Sequence, residues 1–136
     1  MFSFFNNKSF IIRQPAYLYL ASSPIHGLGV FNKKAIKKGD FIEIAPLLIG
    51  SAQDYEMLSQ TALRDYYFIL ADKLNPMALG LGLASWYNHA SPANANYTID
   101  KKKMIIKIKA VAPIKAGEEI TINYHGTFDN NLPIEF

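Results

Sequence analysis

The sequence predicts a mostly β domain, and three observations carry that prediction. Turn signals recur at short intervals, among them Lys38-Gly39-Asp40 and "AGEE" at 116–119. The segments between them are rich in β-branched and aromatic residues, as in "AYLYLAS" at 16–22 and "ITINY" at 120–124, which suit a pleated, half-buried surface. "MIIKIKAVA" at 104–112 also alternates: Met104, Ile106, Ile108 and Ala110 face one way, Lys107 and Lys109 the other.

Taken in order, "AYLYLAS" is the first strand, and "GVFNKKAIKKGDFIEIAPLLIG" at 29–50 supplies short strands separated by turns. Lys38-Gly39-Asp40 leads into the β-prone "FIEIA". Ser51 with Asp54 three residues on has the form of a helix cap, so "SAQDYEMLSQ" at 51–60 is read as a short helix. "DYYFIL" at 65–70 is aromatic enough for a buried strand. "YTI" at 97–99 pairs naturally with "MIIKIKAVA" across a turn holding Lys101 to Lys103, and "ITINY" follows the last turn. No internal repeat or linker tract interrupts the 136 residues. Residues 1–136 are therefore read as one domain, long enough to bury roughly two-thirds of its unfolded surface.

Composition removes several function classes. Half the residues are apolar, which predicts a packed core. There is no cysteine, which excludes disulfides, thiolate zinc sites and cysteine nucleophiles and fits a reducing compartment. Cytoplasm is the expected location; export into a nucleus or a host cell is not readable from the residues. The net charge of +3 is mild, and Lys101 to Lys103 is too short a run for a nucleic-acid stripe. "MFSFFNNKSFIIR" is interrupted by Asn6, Asn7 and Lys8 and lacks the form of a signal peptide. The uncharged run from Leu74 to Ile99 reaches membrane-spanning length, yet it holds Pro76, Pro92, His89 and several Asn. Those polar groups would go unpaired in a bilayer, so no membrane span is expected.

Candidate chemistry is sparse when each motif is taken alone. "HGLGVF" at 26–31 contains Gly27 and Gly29, but Asn32 stands where a dinucleotide fingerprint needs its third glycine. The pair makes either a tight turn or a place where a ligand lies against the backbone. "LGLG" at 79–82 reads as a packing feature. The three histidines lack metal-ligand spacing, so no metal is expected, and there is no serine nucleophile elbow. A lone His89 is ordinarily a satisfied core histidine, and a lone Tyr124 a packed strand aromatic.

Four segments, "HGLGVF", "IKKGDFI", "NHASPAN" and "GEEITINY", nevertheless occur in an order and spacing that resembles the SET domain of protein-lysine methyltransferases. The family patterns are a Gly-x-Gly, a Lys-Gly-Asp/Glu turn, an Asn-His-Ser-x-x-Pro-Asn segment and a Gly-Glu-Glu-Leu-Thr-x-Asp/Asn-Tyr strand. The resemblance covers Tyr17 to Phe128, with Ala90 in place of Ser and Ala93 in place of Pro. Cysteine-rich flanks are absent, so the chain is similar to the minimal, stand-alone members found in bacteria and large viruses. The resemblance implies several small β-sheets with short helices around a carboxy-terminal pseudo-knot, a rare exception to unthreaded topology.

It also implies the cofactor S-adenosylmethionine and a set of site residues. Asn88 would bind the amino-acid part of the cofactor and the His89 backbone its adenine. Gly27 and Gly29 would permit close approach, with backbone contacts from Leu28. Phe128 is the candidate adenine cover, with Phe136 second. Tyr124 matches the catalytic tyrosine and contributes to both cofactor and substrate. Tyr97 matches a channel tyrosine, and either Tyr66 or Tyr67 supplies another wall. Substrates implied are lysine-bearing proteins: a histone, a DNA-packaging protein or a ribosomal protein. A non-catalytic SET-like module that binds a peptide or partner is the main alternative. A small RNA-binding domain is the third reading, with Lys107 and Lys109 as its only hint. Monomer and homodimer both remain open.

Overall fold

The computed structural model describes residues 12–126. Among the described residues nine strands, one α-helix and two 3-10 turns succeed one another: β1 (Leu18–Ser22), β2 (Leu28–Asn32), β3 (Phe41–Gly50), α1 (Ala52–Leu58), a 3-10 turn (Ala62–Asp65), β4 (Tyr67–Ile69) and β5 (Met77–Gly80). A second 3-10 turn (Ala84–Trp86) precedes β6 (Asn88–His89), β7 (Ala95–Asp100), β8 (Ile105–Ala110) and β9 (Glu119–Ile122). They form a four-stranded sheet ordered β1-β2-β9-β6 and a five-stranded sheet ordered β4-β5-β3-β8-β7. Every pairing is antiparallel except β6 with β9.

One buried cluster joins the two sheets. Val30, Ile120 and Ile122 come from the smaller sheet, and Ile42, Leu47, Ile106 and Ile108 from the larger. Period-2 alternation accounts for much of it: Ile106, Ile108 and Ala110 are buried on β8, whereas Lys109 is exposed and Lys107 half-exposed. Met104 departs from the expected pattern. It lies in the turn with φ 55° and is 45% exposed, so the inward row begins at Ile106, and the neighbouring Ile105 is buried as well.

Two further expectations are corrected. "DYYFIL" is no buried strand: only Tyr67–Ile69 is extended, at the edge of the larger sheet, and Ile69 is 65% exposed. An edge strand has a partner on one side only, so its outer row meets water. "LGLG" in turn conceals β5, an interior strand between β4 and β3. The helix behaves as its cap requires, because Ser51 and Asp54 exchange both bonds of a capping box.

Asn94 matters most for the site. Its Nδ2 donates to the Glu119 carbonyl at 2.8 Å, and its Oδ1 accepts from the Thr121 N–H at 2.8 Å. The side chain thus extends the β6–β9 ladder beyond its two paired residues. Asn94→Ala is expected to leave both backbone groups short of a partner and cost about 2–4 kcal/mol. Thermal denaturation should show a Tm lowered by roughly 10 °C. A shift under about 1 °C would remove Asn94 from this role.

Candidate active site

The parallel pairing sets Asn88 opposite Thr121 and His89 opposite Ile122. Residues far apart in sequence therefore share one small region. His89 Nδ1 accepts from the Tyr124 backbone N–H at 3.1 Å, and the two rings lie 5.2 Å apart. An Nδ1 that accepts carries no proton, so the imidazole is the neutral Nε2–H tautomer, as assigned by this bond. Burial lowers the His89 pKa, and neighbouring His125 lowers it further.

Asn88 is buried, and its Nδ2 faces three acceptors: the carbonyls of His26 (3.0 Å) and Leu28 (3.1 Å) and Glu119 Oε1 (2.9 Å). An amide nitrogen has only two hydrogens to share among them. This surplus of acceptors, one of them a carboxylate, suits a cationic ligand such as an ammonium group. Ser23 Oγ holds the other Glu119 oxygen at 2.8 Å. The two glycines have different roles. Gly27 has φ +48° and open space around a built Cβ, so it serves the turn. Gly29 serves close approach, because a Cβ there would collide with Glu119 Oε1 and come within 3.1 Å of Asn88 Nδ2. Leu28 exposes its side chain and contributes its carbonyl.

Tyr124 donates its hydroxyl to the Tyr87 carbonyl at 3.0 Å, and its own carbonyl accepts from the Tyr97 hydroxyl at 3.3 Å. The Tyr124 pKa is pushed up to about 12, first by burial and then by Glu119, Tyr66 and Asp65. The phenol therefore stays protonated at neutral pH, fit to orient a group and unfit to act as a base. Two aromatic pairs involve neighbouring residues. Tyr97 packs against Phe68 at 5.0 Å and Tyr66 against Trp86 at 5.3 Å. Tyr66, not Tyr67, lies within electrostatic reach of Tyr124; Tyr67 turns to Tyr55 of α1 at 5.8 Å.

Asn88, His89, Gly29, the Leu28 backbone, Tyr97, Tyr124 and Tyr66 thus come together, while Tyr67 does not. Phe128 and Phe136 lie outside the described residues. Sequence reading does not single out Glu119, Phe68 or Ser23. The signal for Glu119 is its place in "GEEITINY", a motif that marks the segment without giving this carboxylate a role. Among the described residues no three His, Asp or Glu are grouped to hold a metal, and no helix is long and apolar enough to cross a membrane.

Comparison with known proteins identifies the family and the fold. The family model described as SET domain matches residues 27–125. A Schizosaccharomyces pombe histone-lysine N-methyltransferase, specific for H3 lysine-37, is 33% identical over 115 residues, covering 84% of this chain and 76% of the relative. Among solved structures, a Plasmodium falciparum protein assigned as a histone methyltransferase superposes with TM-score 0.66 at 28% identity, covering 82% of this chain and 95% of that one. A humanised mutant of the Chaetomium thermophilum Polycomb Repressive Complex 2 gives TM-score 0.62 at 27% identity, covering 83% of this chain but 15% of that one.

The neutral His89 generates a pH prediction. Its folded pKa lies below its unfolded value of about 6.5, so its contribution to stability is fully present above that pH. The contribution is lost as pH falls through the folded pKa. Protonated Nδ1 would also become a donor facing the Tyr124 N–H. NMR titration of the His89 ring should give a midpoint below about 6.5, with Tyr124 amide exchange rising in the same range. A midpoint at or above the free value would contradict the assignment.

Proposed function

The chain belongs to the SET-domain family and methylates lysine side chains of protein substrates; on that premise we propose that S-adenosylmethionine binds around Asn88, that Tyr124 orients the target amine, and that the substrate is a histone. The observation that carries the reading is the acceptor cluster on Asn88 joined, through His89 Nδ1, to the backbone of Tyr124.

When bound, S-adenosylmethionine supplies an electrophilic methyl group on a positive sulfonium. Asn88, Glu119 and the His26 and Leu28 carbonyls would hold its ammonium end. Gly29, lacking a Cβ, leaves room for the Glu119 carboxylate beside Asn88. The chain's remaining work is orientation and desolvation. A free lysine has pKa about 10.4, so roughly one in 2,500 molecules is neutral at pH 7. The ring pairs Tyr66–Trp86 and Phe68–Tyr97 would line an apolar approach that disfavours the ammonium form. The Tyr124 hydroxyl and the Tyr87 carbonyl present oxygens that align the amine, and alignment supplies much of the acceleration. No general base is needed beyond solvent.

Charge supports a basic substrate. The whole chain is mildly positive at +3, yet Glu119 and Asp65 both push the Tyr124 pKa up. Two carboxylates within electrostatic reach of Tyr124 would favour the approach of a lysine-rich tail. That the matched relatives are named histone-lysine methyltransferases supports the same choice. Such a substrate would place the enzyme with chromatin, in a nucleus or a host cell, instead of the cytoplasm that composition suggests. Incubation with methyl-labelled S-adenosylmethionine, a panel of histones and a cell extract tests the proposal. Label on a histone supports it. Cofactor binding without label on any protein would point to a non-catalytic module.

Three variants sharpen the assignment. Asn88→Ala removes a buried polar partner and should weaken cofactor binding by at least about tenfold, read by calorimetry and by loss of the ligand-induced thermal shift. Tyr124→Phe keeps the ring, so cofactor affinity should stay within about twofold while turnover falls at least about tenfold. A native rate in that variant would displace Tyr124 from the reaction. Tyr97 governs the number of methyl groups added. The Tyr97 hydroxyl reaches the Tyr124 carbonyl at 3.3 Å and is the one proposed to crowd the amine, since the buried Ile122, two residues before Tyr124, offers none. The native enzyme should stop mainly at mono- or dimethyl-lysine. Tyr97→Phe should move the product up by one methyl in mass spectra of a methylated peptide; an unchanged distribution with activity retained would take Tyr97 out of the channel.

A further inference from the structure

Glu43 is the only charged side chain fully buried among the described residues, at 0% exposure. Burial pushes its carboxyl pKa up, against the pull of its two hydrogen bonds. An isolated buried carboxyl is expensive, so its partners define its purpose. Oε2 accepts from the Leu83 N–H at 2.8 Å, and Oε1 accepts from the Tyr87 hydroxyl at 3.0 Å. Those two groups bracket the 3-10 turn Ala84–Trp86, which runs directly into Asn88. The chain comes so close here that a Cβ on Gly82 would sit 2.7 Å from Oε2, and Gly82 has φ +60° besides. Tyr87 is 1% exposed, and its carbonyl is the acceptor of the Tyr124 hydroxyl.

We propose that Glu43 is a positioning residue of the methyl-transfer site: gripping Leu83 and the Tyr87 hydroxyl, it fixes the Tyr87 carbonyl and through it the Tyr124 hydroxyl. The inference rests on Tyr124 being the catalytic tyrosine. It adds a residue on β3, in the middle of the larger sheet, and gives the Tyr87 side chain a part in the reaction. Glu43 touches neither amine nor methyl donor; its effect passes through one side chain and one peptide group.

A double-mutant cycle separates this role from plain structural support. Tyr87→Phe removes one oxygen and keeps the buried ring, and Glu43→Gln keeps the volume while replacing one acceptor oxygen by a donor. In the native background each should lower kcat by about fivefold or more, with peptide KM and S-adenosylhomocysteine Kd moving less than about twofold. In the Tyr124→Phe background, where there is no hydroxyl left to position, each should cost less than about twofold further. Assays run well below the Tm of every variant, followed by circular dichroism. Equal losses in both backgrounds would reduce Glu43 to a packing residue and overturn the proposal, as would no loss of kcat in the native background. If Tyr124→Phe alone keeps the native rate, the catalytic assignment fails first and the positioning role falls with it.

Discussion

Two residues of parallel β-structure, Asn88 and His89 against Thr121 and Ile122, hold the site together. So short a pairing is weak by itself. It persists because further side-chain and backbone hydrogen bonds extend it. Asn94 bonds β9 at Glu119 and Thr121, the Ala90 N–H reaches the Ile122 carbonyl at 3.1 Å, and His89 Nδ1 takes the Tyr124 N–H. The partners are separated by 25 to 35 positions in sequence, so closing the loop carries an entropic cost that these bonds and the burial of Ile120 and Ile122 must offset. Without that register the ligand-facing amide and the tyrosine would belong to different parts of the molecule.

The same constraint explains why polar residues stand in the least charged stretch of the chain. Leu74 to Ile99 contains β5, an interior strand of the larger sheet, and then β6, an edge strand of the smaller one. Charges there would have to be desolvated, so the run supplies amides, hydroxyls and rings instead. Carboxylates reach the region from elsewhere: Glu119 from β9 beside Asn88, Glu43 from β3 behind Tyr87. Each is held by neutral donors: Asn88 and Ser23 on Glu119, the Leu83 N–H and the Tyr87 hydroxyl on Glu43.

Much of this was legible in the sequence, for physical reasons that can be named. The alternation of "IIKIKA", the Ser51/Asp54 cap and the Lys38-Gly39-Asp40 turn are local signals, and local signals survive without knowledge of the fold. Four ordered motifs placed Asn88, His89, Gly29 and Tyr124, because the resemblance encodes their long-range meeting. What failed had a long-range cause. β4 reads as buried because its aromatics are apolar, but edge position is a property of the sheet. β5 hides in glycines. Tyr66 and Tyr67 are indistinguishable by composition, and only the opposite facing of neighbours on the chain separates them, one toward Trp86 and the other toward Tyr55. Nothing local marks Glu43 as buried, since its partners Leu83 and Tyr87 arrive from 40 and 44 positions away.

The account stands on the β6–β9 pairing placing the acceptor cluster of Asn88 and the hydroxyl of Tyr124 on a single ligand. A crystal structure with S-adenosylhomocysteine bound measures that directly. The ligand's amino group is expected within hydrogen-bond distance of the Asn88 side chain or of the His26 and Leu28 carbonyls, with its sulfur directed toward the Tyr124 hydroxyl. A ligand seated elsewhere, or one that touches Asn88 while its sulfur points away from Tyr124, would contradict the account.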